Sequence, residues 1–254
     1  MRLLSIAFIA AVLAPAAATA QERSLNFSLG GGVVAAPEYF GSDNTEASFA
    51  PGFTFGSLKF GRLDFGNGVR GVPDNGLSFG GAFRVIGDRT SDDHPELAGL
   101  EDIDTAVEIG VNLTLQQTNW MAFGEVRKGV TGHSGLTGTL GADLILRPNN
   151  RWVLSAGPRV NFGDDEFANT YFGTDESTTA AFGDYGSFDA GGGALGVGLE
   201  VAGTYFIDDK WALEGALSYE RLLGDAADSP ITQNGSDDQW RVRVGISRVV
   251  NLNF

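Results

Sequence analysis

Apolar and polar residues alternate with a period of two along most of the chain. The last segment shows this best: its even positions from Trp240 to Phe254 are apolar except Arg248, and its odd positions are mostly polar or small. Successive side chains of a strand point to opposite faces, so one face of this segment suits lipid and the other a wet interior. The pattern recurs in 105–116, 136–147, 152–162, 195–206 and 211–221.

These segments have about ten residues, the length with which a tilted strand crosses a bilayer. Eleven strands are clear, at approximately 24–34, 48–55, 58–65, 77–87, 104–116, 120–130, 135–146, 151–162, 192–206, 211–222 and 239–252. A single-chain barrel with both termini in the periplasm needs an even number. A short extra strand at about 68–73, with a turn at 73–76, gives twelve strands, and ten is the alternative.

The connections alternate between two sizes. Those at 116–119, 147–150 and 207–210 are short, and those at 88–103, 163–192 and 223–238 are long. Bacterial outer-membrane barrels have short periplasmic turns and long outer loops. Four tryptophans also lie at strand starts, as in an aromatic girdle, at Trp120, Trp152, Trp211 and Trp240. We therefore predict an all-β, transmembrane, antiparallel up-and-down barrel in the outer membrane. A secreted β-sandwich would also alternate, but it would not need these features.

The N-terminus has the pattern of an export signal. A positive Met1-Arg2 precedes the apolar run 3–13, and small residues at Ala18 and Ala20 predict cleavage before Gln21. We therefore interpret residues 1–20 as a cleaved signal peptide and 21–254 as one barrel domain. Its last strand should pair with the first, 24–34, because an open edge in hydrocarbon leaves backbone groups unsatisfied.

Composition narrows the chemistry. Without Arg2, the chain has 16 basic and 32 acidic residues, a formal charge of −16, which argues against a nucleic-acid partner. Cysteine is absent, which excludes disulfides. Acidic residues concentrate in the predicted outer loops, where they form either a solvated anionic face or weak Ca²⁺ or Mg²⁺ sites that bridge to lipopolysaccharide. Their spacing matches no defined loop, so whether a metal binds stays open.

Two end segments carry a resemblance to a known family. They are 37–43 (PEYFGSD) and 221–231 (RLLGDAADSPI), supported by 97–104 (LAGLEDID) and 171–173 (YFG). The chain resembles the MipA/OmpV family of outer-membrane proteins, named after the MltA-interacting protein. The resemblance implies a scaffold between a lytic transglycosylase and a murein synthase. Other members are linked to adhesion, osmotic response or solute entry, and the family brings no catalytic residue to carry over.

Chemistry-bearing motifs are few. The run 191–196 matches G-x-G-x-x-G, but a loop precedes it and a strand follows, which is the wrong context for a dinucleotide. Of the two histidines, His94 and His133, only His133 adjoins a hydroxyl, that of Ser134. We expect His133 to be a solvent-exposed turn residue, with an outer-membrane hydrolase as a minor alternative. We single out no catalytic or cofactor-binding residue and expect no enzyme.

Charged residues on the polar face of the strands should line the lumen, because contact with lipid would cost several kcal/mol each. They are Glu108, Asp143, Glu200, Glu214, Arg159, Arg241 and Arg243. Their mixed signs favour a lumen filled by salt bridges, with a narrow solute pore as the alternative. The function we expect is a non-enzymatic scaffold, with a diffusion pore or an adhesin as alternatives. Phe254 should present the terminal strand to the barrel assembly machinery.

Overall fold

The structure, a computed structural model, describes residues 23–61, 63–66, 68–69, 75–175 and 187–254. The predicted signal peptide lies outside these residues. The strands are β1 (Arg23–Pro37), β2 (Thr45–Phe60), β3 (Leu63–Phe65), β4 (Gly76–Ile86), β5 (Ala106–Gln116), β6 (Trp120–Thr131), β7 (Leu136–Asn149), β8 (Trp152–Gly163), β9 (Gly193–Phe206), β10 (Trp211–Leu222) and β11 (Asp238–Asn253). The described parts of the long connections contain three short helices, α1 (Asp165–Phe172), α2 (Asp225–Asp228) and α3 (Pro230–Asn234), and a 3₁₀ turn (Pro95–Leu97).

The eleven strands of the described residues form one antiparallel sheet in the order β3-β2-β1-β11-β10-β9-β8-β7-β6-β5-β4. Within these residues each strand pairs with the next one along the chain except β3 and β4, which are the two edges of the sheet, and the first strand pairs with the last. Their register runs from Ser24↔Asn253 to Ala35↔Val242, and the Phe254 N–H donates to the Arg23 carbonyl at 3.0 Å. The predicted pairing of the terminal strands is therefore confirmed.

The sheet is rolled up rather than flat. β1 and β4 are eight positions apart in the sheet order, which would separate them by about 38 Å in a flat sheet at about 4.8 Å per strand. The connections that follow these two strands nevertheless touch, because the Tyr39 hydroxyl donates to Glu96 at 3.1 Å. The two edges of the sheet thus approach each other, as in a barrel.

The strand boundaries differ from the prediction near residue 56. The predicted strands 48–55 and 58–65 are instead one strand, β2, followed by the three-residue β3. Phe27 pairs with Phe55 and Asn26 with Ser57, so Gly56 is the extra residue of a β-bulge. A Cβ at Gly56 would lie 2.0 Å from the Asn26 side-chain oxygen, so glycine is required here by close approach rather than by a turn.

The strand count fits the alternative of ten better than twelve. Ten strands have 11 to 16 residues, and β3 is the only short one in the described part of the chain. Within the predicted twelfth strand at 68–73, residues 68 and 69 are not strand. Positions 70–74, which include the first half of the predicted turn at 73–76, lie outside the described residues.

The outer surface of the sheet carries the apolar half of each alternating strand. Phe49, Phe79 and Leu144 are 74%, 74% and 68% exposed, values that suit contact with lipid. The four tryptophans lie near strand ends, and two of them pack in a tilted arrangement against tyrosines of neighbouring strands, Trp152 against Tyr205 and Trp240 against Tyr219. Among the described residues, no helix is long and apolar enough to cross a membrane, a finding that concerns helices alone.

Candidate functional site

The long connections fold together over one end of the barrel. We call the described parts of 38–44, 87–105, 164–192 and 223–237 the outer cap. Asp164 begins α1 by accepting a hydrogen bond from the Phe167 N–H at 2.9 Å, and the helix buries Phe167, Tyr171 and Phe172. Phe40, from the connection after β1, packs on all three rings. The cap therefore has a hydrophobic core of its own.

Polar contacts from two other connections hold the C-terminal end of α1 in the cap. The Arg89 guanidinium donates to the Tyr171 carbonyl at 2.9 Å, and the Ser229 hydroxyl donates to the Phe172 carbonyl at 2.6 Å. Burial lowers the pKa of Arg89 to about 10 and raises the pKa of Tyr171 to about 12. At neutral pH Arg89 therefore stays charged and Tyr171 stays neutral.

Several acidic residues of the cap hold its backbone. Asp102 accepts from the Ser91 N–H at 2.8 Å, Asp165 from Gly192 at 2.7 Å and Asp225 from Gly191 at 2.7 Å. Part of the predicted anionic face therefore consists of carboxylates that order the loops. Glu176 and Asp184 of that face lie outside the described residues, and the predicted Ca²⁺ or Mg²⁺ binding stays a prediction.

Below the cap, the lumen contains a carboxylate with several donors. Glu108 on β5 is fully buried and accepts two hydrogen bonds from Arg84, both at 2.7 Å. Arg127 donates to it at 3.0 Å and the Thr137 hydroxyl at 3.1 Å. The side chain of His133 completes the cluster, with Nε2 3.1 Å from Oε1 of Glu108, although the N–H is not aligned for a hydrogen bond.

The polar network continues down the wall formed by β6 to β10. Arg127 donates to Thr139, which donates to Asn161, which donates to Glu220. A second group is centred on Arg159, which pairs with Asp143 at 2.9 Å and with Glu200 at 3.2 Å. This wall of the lumen is filled by paired side chains.

The opposite wall is less crowded. Arg241 and Arg243 of β11 are both exposed, and Glu214 accepts from the Ser247 hydroxyl at 2.5 Å. A small pocket beside Arg243 and Glu214 is lined by glycines of β1 and β2, among them Gly30, Gly32 and Gly52. The predicted filling of the lumen by salt bridges therefore describes one wall, and the other retains space.

A third group of polar side chains joins the connections after β1 and β4; we call it the seam cluster. It consists of Glu38 and Tyr39 from the first connection and His94 and Glu96 from the second. His94 Nδ1 lies 3.3 Å from Glu38 Oε2 and 3.8 Å from Glu96 Oε1. The three ligand atoms of Glu38, His94 and Glu96 lie within 4.8 Å of one another, so these residues could hold a metal ion.

His133 is buried, which contradicts the expectation of an exposed turn residue. Gly132, with φ 73°, turns the short β6–β7 connection so that the imidazole lies under α1, in edge contact with Phe167 and Tyr171. Its Nδ1 accepts from the Gly135 N–H at 3.2 Å, whereas the Ser134 hydroxyl donates to Glu166. Burial lowers the pKa of His133, and Glu108 opposes this shift. Serine and histidine thus have different partners, and no nucleophile–base pair is formed by these two.

A model of the family described as MltA-interacting protein MipA matches residues 29–250. The chain belongs to this family. The predicted resemblance is therefore confirmed over nearly the whole described sheet, and this MipA-family chain is an outer-membrane β-barrel protein. No curated protein matches the sequence significantly.

Solved outer-membrane proteins resemble this MipA-family barrel only distantly. An outer membrane channel from Pseudomonas putida F1 is 12% identical, with 90% of this chain and 96% of that chain covered and a TM-score of 0.45. The outer membrane protein OprG from Pseudomonas aeruginosa is 11% identical, with 90% and 97% covered and a TM-score of 0.27. At these scores the likeness carries no functional argument.

The seven predicted lumen residues fall into separate groups. Glu108 lies with Arg84 and Arg127, and Asp143, Arg159 and Glu200 form a second group. Glu214 and Arg243 line one pocket, and Arg241 lies within electrostatic reach of Glu200. Glu108, Asp143, Arg159, Glu200 and Glu214 all have polar partners inside the barrel. Sequence reasoning missed Arg84 and Arg127, although cross-strand neighbours could have revealed Arg84, which lies directly opposite Glu108. It also missed the seam cluster, for which His94-x-Glu96 was the one local signal.

Proposed function

We propose that this protein is a non-enzymatic scaffold of the cell envelope that holds murein-processing enzymes at the periplasmic side of the outer membrane. The observation that carries the proposal is the outer cap, with its hydrophobic core of Phe40, Phe167, Tyr171 and Phe172. A cap packed in this way rests on buried contacts, and opening it for solute passage would expose them to water. The geometry therefore favours a structural role.

The name of the family, which describes an interaction with MltA, supports a partner among murein enzymes. We propose a lytic transglycosylase and a murein synthase as the partners. Export by the predicted signal peptide 1–20 and insertion by the barrel assembly machinery through Phe254 belong to the same proposal. Docking would use the short turns on the side of the two chain termini, such as 117–119 and 207–210.

A further short turn on the same side, 150–151 between β7 and β8, has neighbouring side chains that suit contact with a protein. The Trp152 and Tyr205 rings pack in a tilted arrangement with their centroids 4.8 Å apart, and Arg151 donates to the Tyr205 hydroxyl at 3.3 Å. A shallow pocket lined by these three residues with Asn149 and Asn150 opens beside them. An exposed patch of aromatic, arginine and amide groups has the composition of an interface core.

Photo-crosslinking in cells tests the scaffold. A crosslinking residue at Asn150 or Asp209 should capture a murein enzyme, and the same residue at Glu101 on the opposite side of the barrel should not. Recovery of no murein enzyme from either turn position, in cells that make both enzymes, would count against the scaffold.

The small pocket beside Arg243 and Glu214 favours a second candidate, a narrow pore for small solutes. Conductance across a planar bilayer separates the two proposals. A scaffold with a closed cap should give no steady current. A reproducible open channel that an Arg243→Ala variant alters in ion selectivity would support the pore instead.

A further inference from the structure

We propose that the seam cluster binds a divalent transition-metal ion of the Zn²⁺ class, and that the bound ion clamps the two edges of the rolled sheet together. The ligands would be Glu38, His94 and Glu96, with water in the remaining position. The inference is independent of the scaffold role, because it rests on residues of the outer cap alone.

The spacing of the donor atoms suits such an ion. Bond lengths of about 2.0–2.1 Å and a tetrahedral angle of about 109° place neighbouring donors about 3.3 Å apart. The Glu38 Oε2 to His94 Nδ1 distance is 3.3 Å, and the Glu96 Oε1 to His94 Nδ1 distance is 3.8 Å. The carboxylate oxygens of Glu38 and Glu96 lie within 4.8 Å of each other, and the Glu96 side chain, which is 46% exposed, can move towards the other two ligands.

The two connections are held in position before any ion binds. In the first, the Glu38 N–H donates to the Asn44 carbonyl at 3.3 Å, and the buried Ser42 carbonyl accepts from Gln239 at 3.2 Å. In the second, the His94 N–H donates to the Thr90 carbonyl at 3.1 Å, and the following Leu97 is 2% exposed. Metal ligands whose positions are already fixed lose little conformational entropy when the ion binds.

Tyr39 orients one ligand, as the outer partners of metal ligands commonly do. Its hydroxyl donates to Glu96 Oε1 at 3.1 Å, and its ring lies edge-on to the His94 ring at 5.1 Å.

The charge balance also favours a cation. Two carboxylates converge on one imidazole nitrogen, and among the described residues their ion pairs are with His94 rather than with lysine or arginine. Nitrogen together with carboxylate oxygen suits Zn²⁺, Cu²⁺ or Ni²⁺, whereas Ca²⁺ and Mg²⁺ prefer oxygen alone. This separates the seam cluster from the general acidity of the outer loops.

Because of the position of the seam cluster, a bound ion would link strands that lie far apart in the sheet order. Glu38 follows β1, which lies two strands from one edge of the sheet, and His94 and Glu96 follow β4, the other edge. An ion that binds both connections therefore resists separation of the edges. Since it binds only when they are together, it stabilises the folded barrel by mass action.

Titration calorimetry of the full-length protein, folded in detergent near pH 7.5, tests the site with ZnCl₂ and, separately, CaCl₂. We expect one Zn²⁺ per chain, bound more tightly than Ca²⁺. Loss of affinity in His94→Gln and Glu38→Gln should exceed the roughly tenfold effect expected for Tyr39→Phe. Glu101→Gln, a matched loss of one exposed carboxylate in the same connection, should bind like the wild type.

A second measurement does not depend on heats of binding. Zn²⁺ should raise the temperature at which the barrel loses its folded gel mobility, in the wild type and in Glu101→Gln but not in Glu38→Gln. Absence of Zn²⁺ binding, or Zn²⁺ affinity unchanged in His94→Gln and Glu38→Gln, would overturn the proposal. If either variant does not fold, the exposed Glu96→Gln gives the same decision.

Discussion

Replacing Glu108 by glutamine should destabilise the barrel more than any other single neutralisation in the lumen. Glutamine keeps the shape of the side chain and removes its charge. The carboxylate is fully buried and accepts from Arg84, Arg127 and Thr137. In the variant, an amide NH₂ must face guanidinium donors, and at least one hydrogen bond becomes a donor–donor contact.

The size of the effect follows from the burial of the partners. Removing one partner of a buried ion pair costs about 3–5 kcal/mol, because the remaining charge is left uncompensated. The Arg84 side chain is 28% exposed and can turn towards water, whereas that of Arg127 is 4% exposed and keeps Glu125 as a partner. We therefore expect the lower end, about 3 kcal/mol, or about 150-fold in the folding equilibrium constant.

Urea unfolding of the barrel in lipid vesicles, followed by tryptophan fluorescence, measures this change. The matched control is Glu200→Gln. The Glu200 side chain is 38% exposed and lies 3.2 Å from Arg159, so this substitution should lower the free energy of unfolding by less than about 1 kcal/mol. Equal loss of stability in the two variants would refute the reasoning, because burial of the charge would then not decide the cost.

Three further outcomes are expected. Deleting Phe254 should lower the folded outer-membrane fraction on heat-modifiable gels, with Phe254→Tyr tolerated; a deletion variant at normal level would contradict this. Leu199→Arg, in mid-β9 and 59% exposed, should cost about 2–4 kcal/mol in vesicles, and a neutral result would place this face away from lipid. Because burial lowers the pKa of His133 in the folded state, the neutral imidazole stabilises the fold fully above about pH 6.5. This contribution is lost as the pH falls through the lower pKa of the folded state. His133→Gln should flatten that part of the pH dependence of the unfolding midpoint, and an unchanged slope would contradict the reasoning.

Local patterns predicted most of the sheet. The period-two alternation placed the strands from β4 to β11 to within a few residues, because each strand needs one apolar and one polar face whatever its neighbours are. The prediction was wrong at Gly56, because glycine and serine, as at Gly56 and Ser57, are residue types that are also common in turns. A bulge and a turn use the same residue types, and only the pairing of Asn26 with Ser57 across the sheet separates them.

The sequence by itself determined the face of each strand, the position of the connections, and the charges that enter the lumen. Only the tertiary structure decided which charges meet. Rolling the sheet brings Glu38 to His94 across 56 positions of sequence, and the tertiary contacts of the turn at Gly132 place His133 beside Glu108. Alternation records which side of a strand a residue occupies, and it contains no information on which residues the curvature of the sheet brings together.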